Sequence, residues 1–449
     1  MTLSKSLKLA AITAALALSS TAVLAKDLTI SVWSGGTGES ENYRVDNIEI
    51  AADELMREAA ISGEELTIKV EKKTFTSWDD FKQAVTLAAE SKTAPNIIVT
   101  GHEDIAPWSQ SGLIRPIEDY IDLDAWPMSQ IYPNLLDIAS FNGQVWGLPQ
   151  DAESRPFFFF KPHMKAIGYS DEQIEALPAK IESGDYTLYD ALNDAKKMQD
   201  AGLVEQGHGF YPRVSNGPDY WQFYVSFGGE IQDKETGKLV FNKQAMTDMY
   251  QFFADAVKMG VTSPTHLGTD WGQWYNEVAN GKAGIWHGGT WHYARYKKEG
   301  QQDFFGNIQF SLIPEGNANG KPNTVTHPLV YLVSNTGDDE VAEISSQLVA
   351  IASEPRLNTL HAIKSGHLAI GSEQTAIPLY ANDRWASEAT VRLLPHAVSM
   401  PNNTEFGAFW NVMFKGLEAS WTGQKSVADA VADVEAEYKA TMADAIIMK

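Results

Sequence analysis

The sequence contains no cysteine. This absence excludes disulfide bonds, thiolate metal sites, a cysteine nucleophile and a lipid-modified N-terminal cysteine. Basic residues are also scarce, because 35 Lys and Arg stand against 58 Asp and Glu and leave a net charge of −23. No basic tract interrupts this acidic background. Such a charge repels a phosphate backbone, so we expect no nucleic-acid partner.

Long hydrophobic runs are absent after the N-terminal segment. Residues 9–23 form an uncharged run of 15 residues, shorter than the roughly 20 residues of a membrane-spanning helix. Lys5 and Lys8 precede this run, and the small residue Ala25 follows shortly after its end. The order is typical of a secretory signal peptide, so we predict cleavage of residues 1–25. The expected product is a periplasmic monomer, neither transmembrane nor a lipoprotein.

The chain is long and rich in aromatic residues. Its 449 residues predict two or three domains, and 44% apolar with 21% charged residues is an ordinary globular composition. It contains 13 Trp, 16 Tyr and 19 Phe. These rings are enough to build several flat apolar surfaces in addition to a hydrophobic core.

Strand and helix patterns alternate along the first part of the chain. Residues 28–33, 66–70 and 96–99 are strand-like runs, and helical periodicity follows the first two. The first helix should begin near Asn42, and Ser77 should cap the second. Strands that alternate with helices predict βαβ units, so we expect an α/β fold with largely parallel sheets.

A second group of elements follows later, with helices predicted to begin near Asn242 and after Ser426. Between the two groups, residues 147–156 form a polar segment containing prolines, and four phenylalanines follow at residues 157–160. Such a segment is typical of a strand that passes from one hydrophobic core to another. The sequence therefore predicts two α/β lobes joined by short crossovers, with a cleft between them.

Several short motifs occur in an order that resembles a known family. In chain order they are a strand ending at Trp33 with a glycine loop at 35–38, Ala-Pro-Asn-Ile-Ile-Val (94–99), Gln-Ser-Gly-Leu-Ile (110–114), Phe-Asn-Gly-Gln-Val-Trp-Gly-Leu-Pro (141–149), Asn-Gly-Lys-Ala-Gly-Ile-Trp-His-Gly-Gly-Thr-Trp (280–291) and Met-Pro-Asn (400–402) before Phe409 and Trp410. The order resembles that of the extracellular solute-binding proteins of ABC sugar importers, the maltose-binding group. The resemblance extends over nearly all of the mature chain.

This resemblance implies a two-lobed periplasmic binding protein fold of type II-like topology, each lobe a mainly parallel sheet flanked by helices. It implies a non-enzymatic receptor, without a cofactor, that closes on a carbohydrate and delivers it to the ABC permease in the inner membrane. The expected boundaries are 26–150 and about 320–368 for the N-terminal lobe, about 155–315 and about 372–449 for the C-terminal lobe, and crossovers near 150–155, 316–325 and 368–372.

The resemblance also implies several ligand-binding residues. Trp291 and Trp410 fall where family members have stacking aromatics, while Glu103, with Asp104 beside it, and Glu153 fall at acidic positions. Sugars present apolar CH faces and a rim of hydroxyls, so rings and carboxylates suit them together. The glycine loop replaces the charged ligand contacts of maltose-type proteins, and the identity of the sugar stays open.

Further candidates come from the residues themselves. Trp33 ends a strand, the position of ligand sites in open α/β sheets. The loop that begins at Gly35 lacks a P-loop ending and is expected to shape itself around a neutral ligand. Trp221, Trp271 and Trp274 lie in two loop-like segments, either of which could line the second lobe. The predicted site is completed by Asp151, near Glu153, and Gly289, before Trp291.

Alternatives stay open for each kind of residue. Two of the carboxylates could be the acid and base of a secreted glycosidase or lyase, which requires a separation of about 5 to 9.5 Å. Any tryptophan could belong to the core. His287 and His292 do not share a helix face, so we predict no metal site. Four arginines could instead bind an anionic sugar derivative or a polyol phosphate: Arg155, Arg213, Arg295 and Arg384.

Overall fold

The computed structural model describes residues 26–36, 43–300 and 303–449. The predicted signal peptide, residues 1–25, and the predicted helix start at Asn42 lie outside the described residues. Within the described ranges, every helix is too short or too polar to cross a membrane.

The strands are short after the first two. In chain order they are β1 Lys26–Ser34, β2 Leu66–Thr74, β3 Ile97–Gly101, β4 Ile114–Arg115, β5 Ser140–Phe141, β6 Gln144–Val145, β7 Gly147–Pro149, β8 Phe157–Phe160, β9 Leu239–Phe241, β10 Ile285–His287, β11 Ile308–Ser311, β12 Thr324–Thr326, β13 Leu329–Ser334, β14 Ala397–Ser399 and β15 Ile446–Met448.

Helices make up most of the remaining regular structure. They are α1 Tyr43–Ser62, α2 Trp78–Glu90, α3 Ile105–Gln110, α4 Pro133–Ile138, α5 Lys161–Ala166, α6 Asp171–Glu175, α7 Leu177–Glu182, α8 Leu188–Asp200, α9 Asp219–Ser226, α10 Lys243–Lys258, α11 Trp271–Ala279, α12 His292–Glu299, α13 Phe304–Asn307, α14 Asp339–Ala352, α15 Pro355–Ser365, α16 Pro378–Ala381, α17 Arg384–Leu393, α18 Phe406–Trp421 and α19 Val427–Thr441.

The first sheet has the strand order β2-β1-β3-β13-β4, and β7 also pairs with β13. β1 runs parallel to β2 and β3, as βαβ units require. β13 runs antiparallel to β3, β4 and β7, because the chain reaches it from the second sheet and not through a crossover helix. The sheet is therefore mixed where the sequence predicted a mainly parallel one. We call this sheet and the helices packed on it the first lobe; they include α1, α14 and α15.

The second sheet consists of β10, β8 and β11, and both pairings are antiparallel. The predicted parallel direction is not found here, because β8 is flanked by two strands that come much later in the chain. Its central strand is the run of four phenylalanines, of which the first three are completely buried. A continuous apolar run suits a strand that is covered on both faces. This sheet and its helices, among them α10, α18 and α19, form the second lobe.

Three chain segments pass between the two sheets, and they lie side by side. The segment after β7 leads to β8, and its Arg155 backbone N–H donates to Thr324 Oγ1 at 2.7 Å in the returning segment. Ala152 and Leu368 exchange backbone hydrogen bonds of 3.2 and 2.7 Å, which adds the third segment. After it, Trp385 of α17 packs on Phe310 of the second sheet, with ring centroids 4.8 Å apart. These contacts form a compact connection from which both lobes extend.

Candidate functional site

A cavity of about 710 Å³ lies between the two lobes, beside the crossover segments. Its size is that of a pocket for a small molecule. Residues of the first lobe, the second lobe and the crossovers all contribute to its walls. A ligand in this cavity therefore contacts both lobes at once.

Five aromatic side chains line the cavity: Trp78, Trp271, Tyr275, Trp291 and Trp410. Three of them stand where a helix begins, since Trp78 and Trp271 open α2 and α11 and Trp291 immediately precedes α12. Ser77 and Asp270 fix the first two starts by accepting backbone N–H hydrogen bonds of 3.2 and 3.0 Å. The rings supply the flat apolar surfaces that a sugar ring stacks on.

The second-lobe wall carries a linked set of charges. Arg155 lies 2.6 Å from Glu153 and 3.3 Å from Asp219, and Arg213 lies 3.2 Å from the other oxygen of Asp219. Nη1 of Arg213 is 3.1 Å from His292 Nε2. The guanidinium of Arg213 also lies 4.5 Å from the Trp271 ring centroid, a cation–π contact. The charges hold one another and the aromatic rings in fixed positions.

The first-lobe wall has a second charged group. Lys82 donates to Glu103 at 2.7 Å and to Asp104 at 2.8 Å. The other oxygen of Glu103 lies 2.8 Å from Nε2 of His327, a crossover residue. Asp104 accepts a further hydrogen bond of 2.5 Å from Thr100 and turns into the lobe. Glu103 thus faces the cavity, and its neighbour is part of the support behind it.

The two carboxylates of the cavity centre have opposite pKa shifts. Burial favours the neutral acid at Glu103, but Lys82 and His327 outweigh it and hold the pKa well below the usual range. Burial raises the pKa of Glu153 to about 7, with Arg155 opposing the shift. Glu103 is therefore a fixed anion at neutral pH, while Glu153 gains or loses a proton in the neutral range.

Four of the residues predicted from the sequence line the cavity: Glu103, Glu153, Trp291 and Trp410. Two more adjoin it. Gly35 packs beneath Trp78, and the cavity wall is made by the next residue, Gly36, whose φ of +63° favours glycine. Gly289 is buried next to the Trp291 ring. Whether these residues bind a ligand stays a prediction.

Five predicted residues lie away from the cavity. Trp221 and Trp274 are completely buried, because their helices α9 and α11 turn these faces toward the core of the second lobe. Trp33 packs on Phe75 in the first lobe, with ring centroids 5.7 Å apart. The other two are Asp104, whose contacts are given above, and Asp151, which lies 3.4 Å from His367 and accepts from the Leu329 N–H at 3.0 Å.

Trp271, one of the tryptophans that the sequence suggested for the second lobe, lines the cavity, whereas sequence reasoning missed Trp78, Tyr275 and His327. A signal existed for Tyr275. Asp270 is a good N-cap, and a helix that begins at Trp271 places Tyr275 four residues later on the same face. No comparable signal identifies His327, which reaches the cavity only because the crossover passes between the lobes.

Two groups of side chains place potential metal ligands within 4.8 Å of one another: His102, Glu103 and His327, and Asp151, His361 and His367. In the first group both ring nitrogens of His102 lie close to backbone carbonyls, Pro328 at 3.3 Å and Met400 at 3.1 Å. In the second, the three side chains are fully buried in the crossover region. Each group draws on distant segments of the chain, so no spacing of residues along the chain identifies it.

The fold is that of the two-lobed binding proteins. A solved structure of the GacH receptor of Streptomyces glaucescens aligns with a TM-score of 0.74 and 17% identity, covering 93% of this chain and 99% of the other. Maltose-bound MalE3 of T. maritima aligns with a TM-score of 0.74 and 17% identity, covering 92% of this chain and 100% of the other. These likenesses confirm the predicted two-lobed α/β fold.

The family follows from the sequence. Residues 57–343 match the bacterial extracellular solute-binding protein family, and the chain belongs to it. The maltotriose-binding protein of Pyrococcus abyssi is 20% identical over 342 residues, which span 75% of this chain and 68% of that protein. The family predicted from the order of short motifs is confirmed.

Proposed function

We propose that this protein is a periplasmic receptor of an ABC importer that binds a carbohydrate in the cavity between its lobes. The observation that carries the proposal is the pairing of aromatic rings with charged and amide groups on the walls of that cavity. Aromatic rings stack on the CH faces of a sugar, and charged side chains accept from or donate to its hydroxyls. The maltotriose-binding relative, the maltose-bound structure of MalE3 and the structure of the GacH receptor with acarbose support the same class of ligand.

Within this proposal, Trp291, Trp410 and Trp271 are the stacking residues of the second lobe, and Glu103 and Glu153 accept hydroxyl hydrogen bonds. Asn216 adds an amide, since it bonds Asn411 at 3.0 Å and accepts from the indole N–H of Trp410. The ring of Trp410 is thereby held in one orientation. An oriented ring loses less conformational entropy when a sugar stacks on it.

Closure of the lobes is the second part of the proposed function. In this proposal the two lobes keep the boundaries predicted from the sequence and move as rigid bodies. The chain bends at the crossovers between them. A ligand that contacts both walls stabilises the closed state by its extra contacts there. The closed form would then be the one that the inner-membrane permease, which acts with a cytoplasmic ATPase, recognises, as the resemblance to ABC receptors implies.

We further propose that the protein binds without catalysis. The imidazole of His327 lies between the two cavity glutamates, 2.8 Å from Glu103 and 3.9 Å from Glu153. Glu103 is also paired with Lys82, and Glu153 with Arg155. A glycosidase needs one carboxyl free to donate a proton and another free to attack or to activate water across the same bond. Glu103 is held as an anion by Lys82, and Glu153, although its pKa is about 7, is held by Arg155, so the pair is better suited to binding hydroxyls than to acid–base catalysis.

A thermal-shift screen of the mature protein tests the proposal, with mono-, di- and oligosaccharides, polyols and sugar derivatives as ligands. Binding to the folded state raises stability by RT ln(1 + [L]/Kd), so a specific ligand stands out. Calorimetry then gives the affinity, and chromatography of the same mixture after hours shows whether the sugar is intact. Tight binding with intact sugar is the expected result. Hydrolysis of the sugar would support the enzyme alternative, and small-angle scattering with an unchanged radius of gyration at saturation would contradict closure.

A further inference from the structure

The charge of the cavity differs from the charge of the whole chain. Across the sequence, 35 basic residues are outnumbered by 58 acidic ones. On the cavity walls, five basic side chains face four acidic ones. The basic residues are Arg44, Lys82, Arg155, Arg213 and Arg295, and the acidic residues are Asp79, Glu103, Glu153 and Asp219. An acidic protein thus places an excess of cations on the one surface where its ligand is proposed to bind.

We propose that the carbohydrate bound here carries an anionic group, a carboxylate, sulfonate or phosphate, held by Arg213 and Arg295. This inference rests on the proposed function, because it specifies the class of sugar for the same cavity. Guanidinium groups bind such oxyanions through paired N–H donors, which neutral hydroxyls do not require. Stacking of the sugar ring on the neighbouring tryptophans leaves one edge of the ligand free for the anion.

Arg213 is a pre-positioned cation. Its Nε faces Asp219, its Nη1 lies near His292, and its plane is close to Trp271, so the guanidinium has little freedom to move. Asp219 also lies 3.3 Å from Arg155, which has Glu153 as a second carboxylate partner at 2.6 Å. Arg213 faces Asp219 through Nε, so its paired Nη groups are on the side away from that carboxylate. A cation held in place before the ligand arrives loses little entropy on binding.

Arg295 is the second donor, on the helix that begins after Trp291. Its guanidinium lies 3.7 Å from the Tyr275 ring centroid. Within the described part of the chain its one ion-pair partner is Glu299 at 3.8 Å, a separation too long for a hydrogen bond. Arg213 lies beside His292 and Arg295 lies over Tyr275. These two side chains are themselves in contact, because Tyr275 OH lies 3.0 Å from His292 Nε2. The two guanidinium groups thus border one part of the cavity wall.

The opposite wall adds a third cation. Arg44 is buried and donates to the carbonyl oxygens of Gly35 and Gly36 at 3.1 and 3.3 Å. Among the described residues its hydrogen-bond partners are these backbone carbonyls, and it interacts from farther away with Asp151, whose pKa it helps to lower. An anion in the adjoining cavity would add a further compensating charge to this buried cation. A neutral sugar offers no such compensation.

The test compares sugars that differ only in charge. The probes are glucose against glucuronate, galactose against galacturonate and its dimer and trimer, and hexose phosphates and hexose sulfonates as the other two oxyanions. Calorimetry is run on the mature wild-type protein, on Arg295→Gln, and on Arg384→Gln. Arg384 is the matched control, because it also stacks on an aromatic ring, Phe305 at 3.9 Å, and pairs with a glutamate one turn on, Glu388, outside the cavity.

We expect one anionic probe to bind at least about tenfold more tightly than its neutral partner, about 1.4 kcal/mol. Arg295→Gln should remove most of that difference and change the affinity for the neutral sugar by less than about threefold. Arg384→Gln should behave as wild type. The oxyanion that binds most tightly identifies the group.

Equal or tighter binding of the neutral sugars, sensitive to Trp291→Ala, would overturn the anion proposal and leave the receptor proposal standing. An anion preference that survives in Arg295→Gln and in Arg213→Gln would equally overturn the assignment to these arginines. Circular dichroism of each variant checks that it is folded. Failure of every sugar, neutral or charged, to bind at millimolar concentration would contradict both proposals.

Discussion

The second lobe holds tryptophans in two different environments that the sequence does not distinguish. In its core, Trp221 is completely buried and stacks on Phe409 with ring centroids 4.8 Å apart. At the cavity, Trp410 follows Phe409 directly on the same helix but is only partly buried. Adjacent positions on a helix point about 100° apart, so one helix supplies both a core ring and a cavity ring. The contrast shows that position on a helix face, and not residue type, separates stability from recognition here.

The largest expected effect is the loss of stability when the core tryptophan Trp221 is replaced. Trp221→Ala removes a fully buried indole and leaves a cavity, so it should cost about 3 to 5 kcal/mol of the free energy of unfolding. Urea denaturation followed by circular dichroism measures it. Trp126→Ala is the control, because Trp126 is 64% exposed and its loss should change little. A loss at Trp221 no larger than that of the control would contradict the core assignment.

The next effect concerns the two neighbouring acids of the first lobe. Glu103→Ala should weaken binding of the identified ligand by about 1.5 to 3 kcal/mol, the range for hydrogen bonds to charged groups. Asp104→Asn should leave the affinity closer to wild type, because Asp104 faces Thr100 and Lys82 inside the lobe. Calorimetry on both variants makes the comparison. Wild-type affinity in Glu103→Ala would remove this residue from the site.

Replacing the cavity tryptophans should weaken ligand binding more than it lowers stability, the reverse of the result expected at Trp221. Trp291→Ala and Trp410→Ala should each weaken ligand binding by about tenfold to a hundredfold, or about 1.4 to 2.7 kcal/mol. The unliganded variants should unfold much closer to wild type than Trp221→Ala, since both rings are only partly buried. Calorimetry and urea denaturation on the same samples separate the two effects. Variants that unfold easily but bind normally would place both rings in the core.

The smallest expected effect is a dependence of stability on pH. The pKa of Glu153 is raised to about 7 by burial, above its usual value of 4.5, so the folded state binds this proton more tightly than the unfolded state. The contribution of Glu153 to stability should therefore fall as the pH rises from about 4.5 to about 7, by at most about 1.4 kcal/mol for each pH unit. Melting temperatures of the unliganded wild type and of Glu153→Gln between about pH 5 and about pH 8 measure it as the difference between the two proteins.

Glu153→Gln is the matched variant for this titration. The buried histidines with lowered pKa, among them His102, His287 and His367, make stability rise with pH around their usual 6.5 and oppose the effect of Glu153 in both proteins. The stability of the wild type relative to Glu153→Gln should therefore fall as the pH rises from about 5 to about 7, whatever the slope of either protein alone. An identical slope in the variant would assign the titration to another group.

The class of the fold and the family could be predicted from patterns along the chain. Alternating strand and helix patterns, the N-cap at Ser77 and the buried phenylalanine run are local signals, because hydrogen-bonding caps and side-chain periodicity act over a few residues. The order of short motifs along the chain identified the family without any contact between them. Glu103, Glu153, Trp291 and Trp410 could be placed at the cavity in this way.

Three features depend on tertiary packing and could not be predicted from the sequence: the direction of β13, the burial of Trp221 and Trp274, and the position of His327 beside Glu103. Each depends on which segments meet across the crossovers, and residues far apart in the chain meet there through packing that no local pattern encodes. The excess of cations in the cavity of an acidic protein is decided in the same way. Net charge is a sum over the chain, whereas the field at a ligand is set by the few charges that folding brings within several ångströms of it.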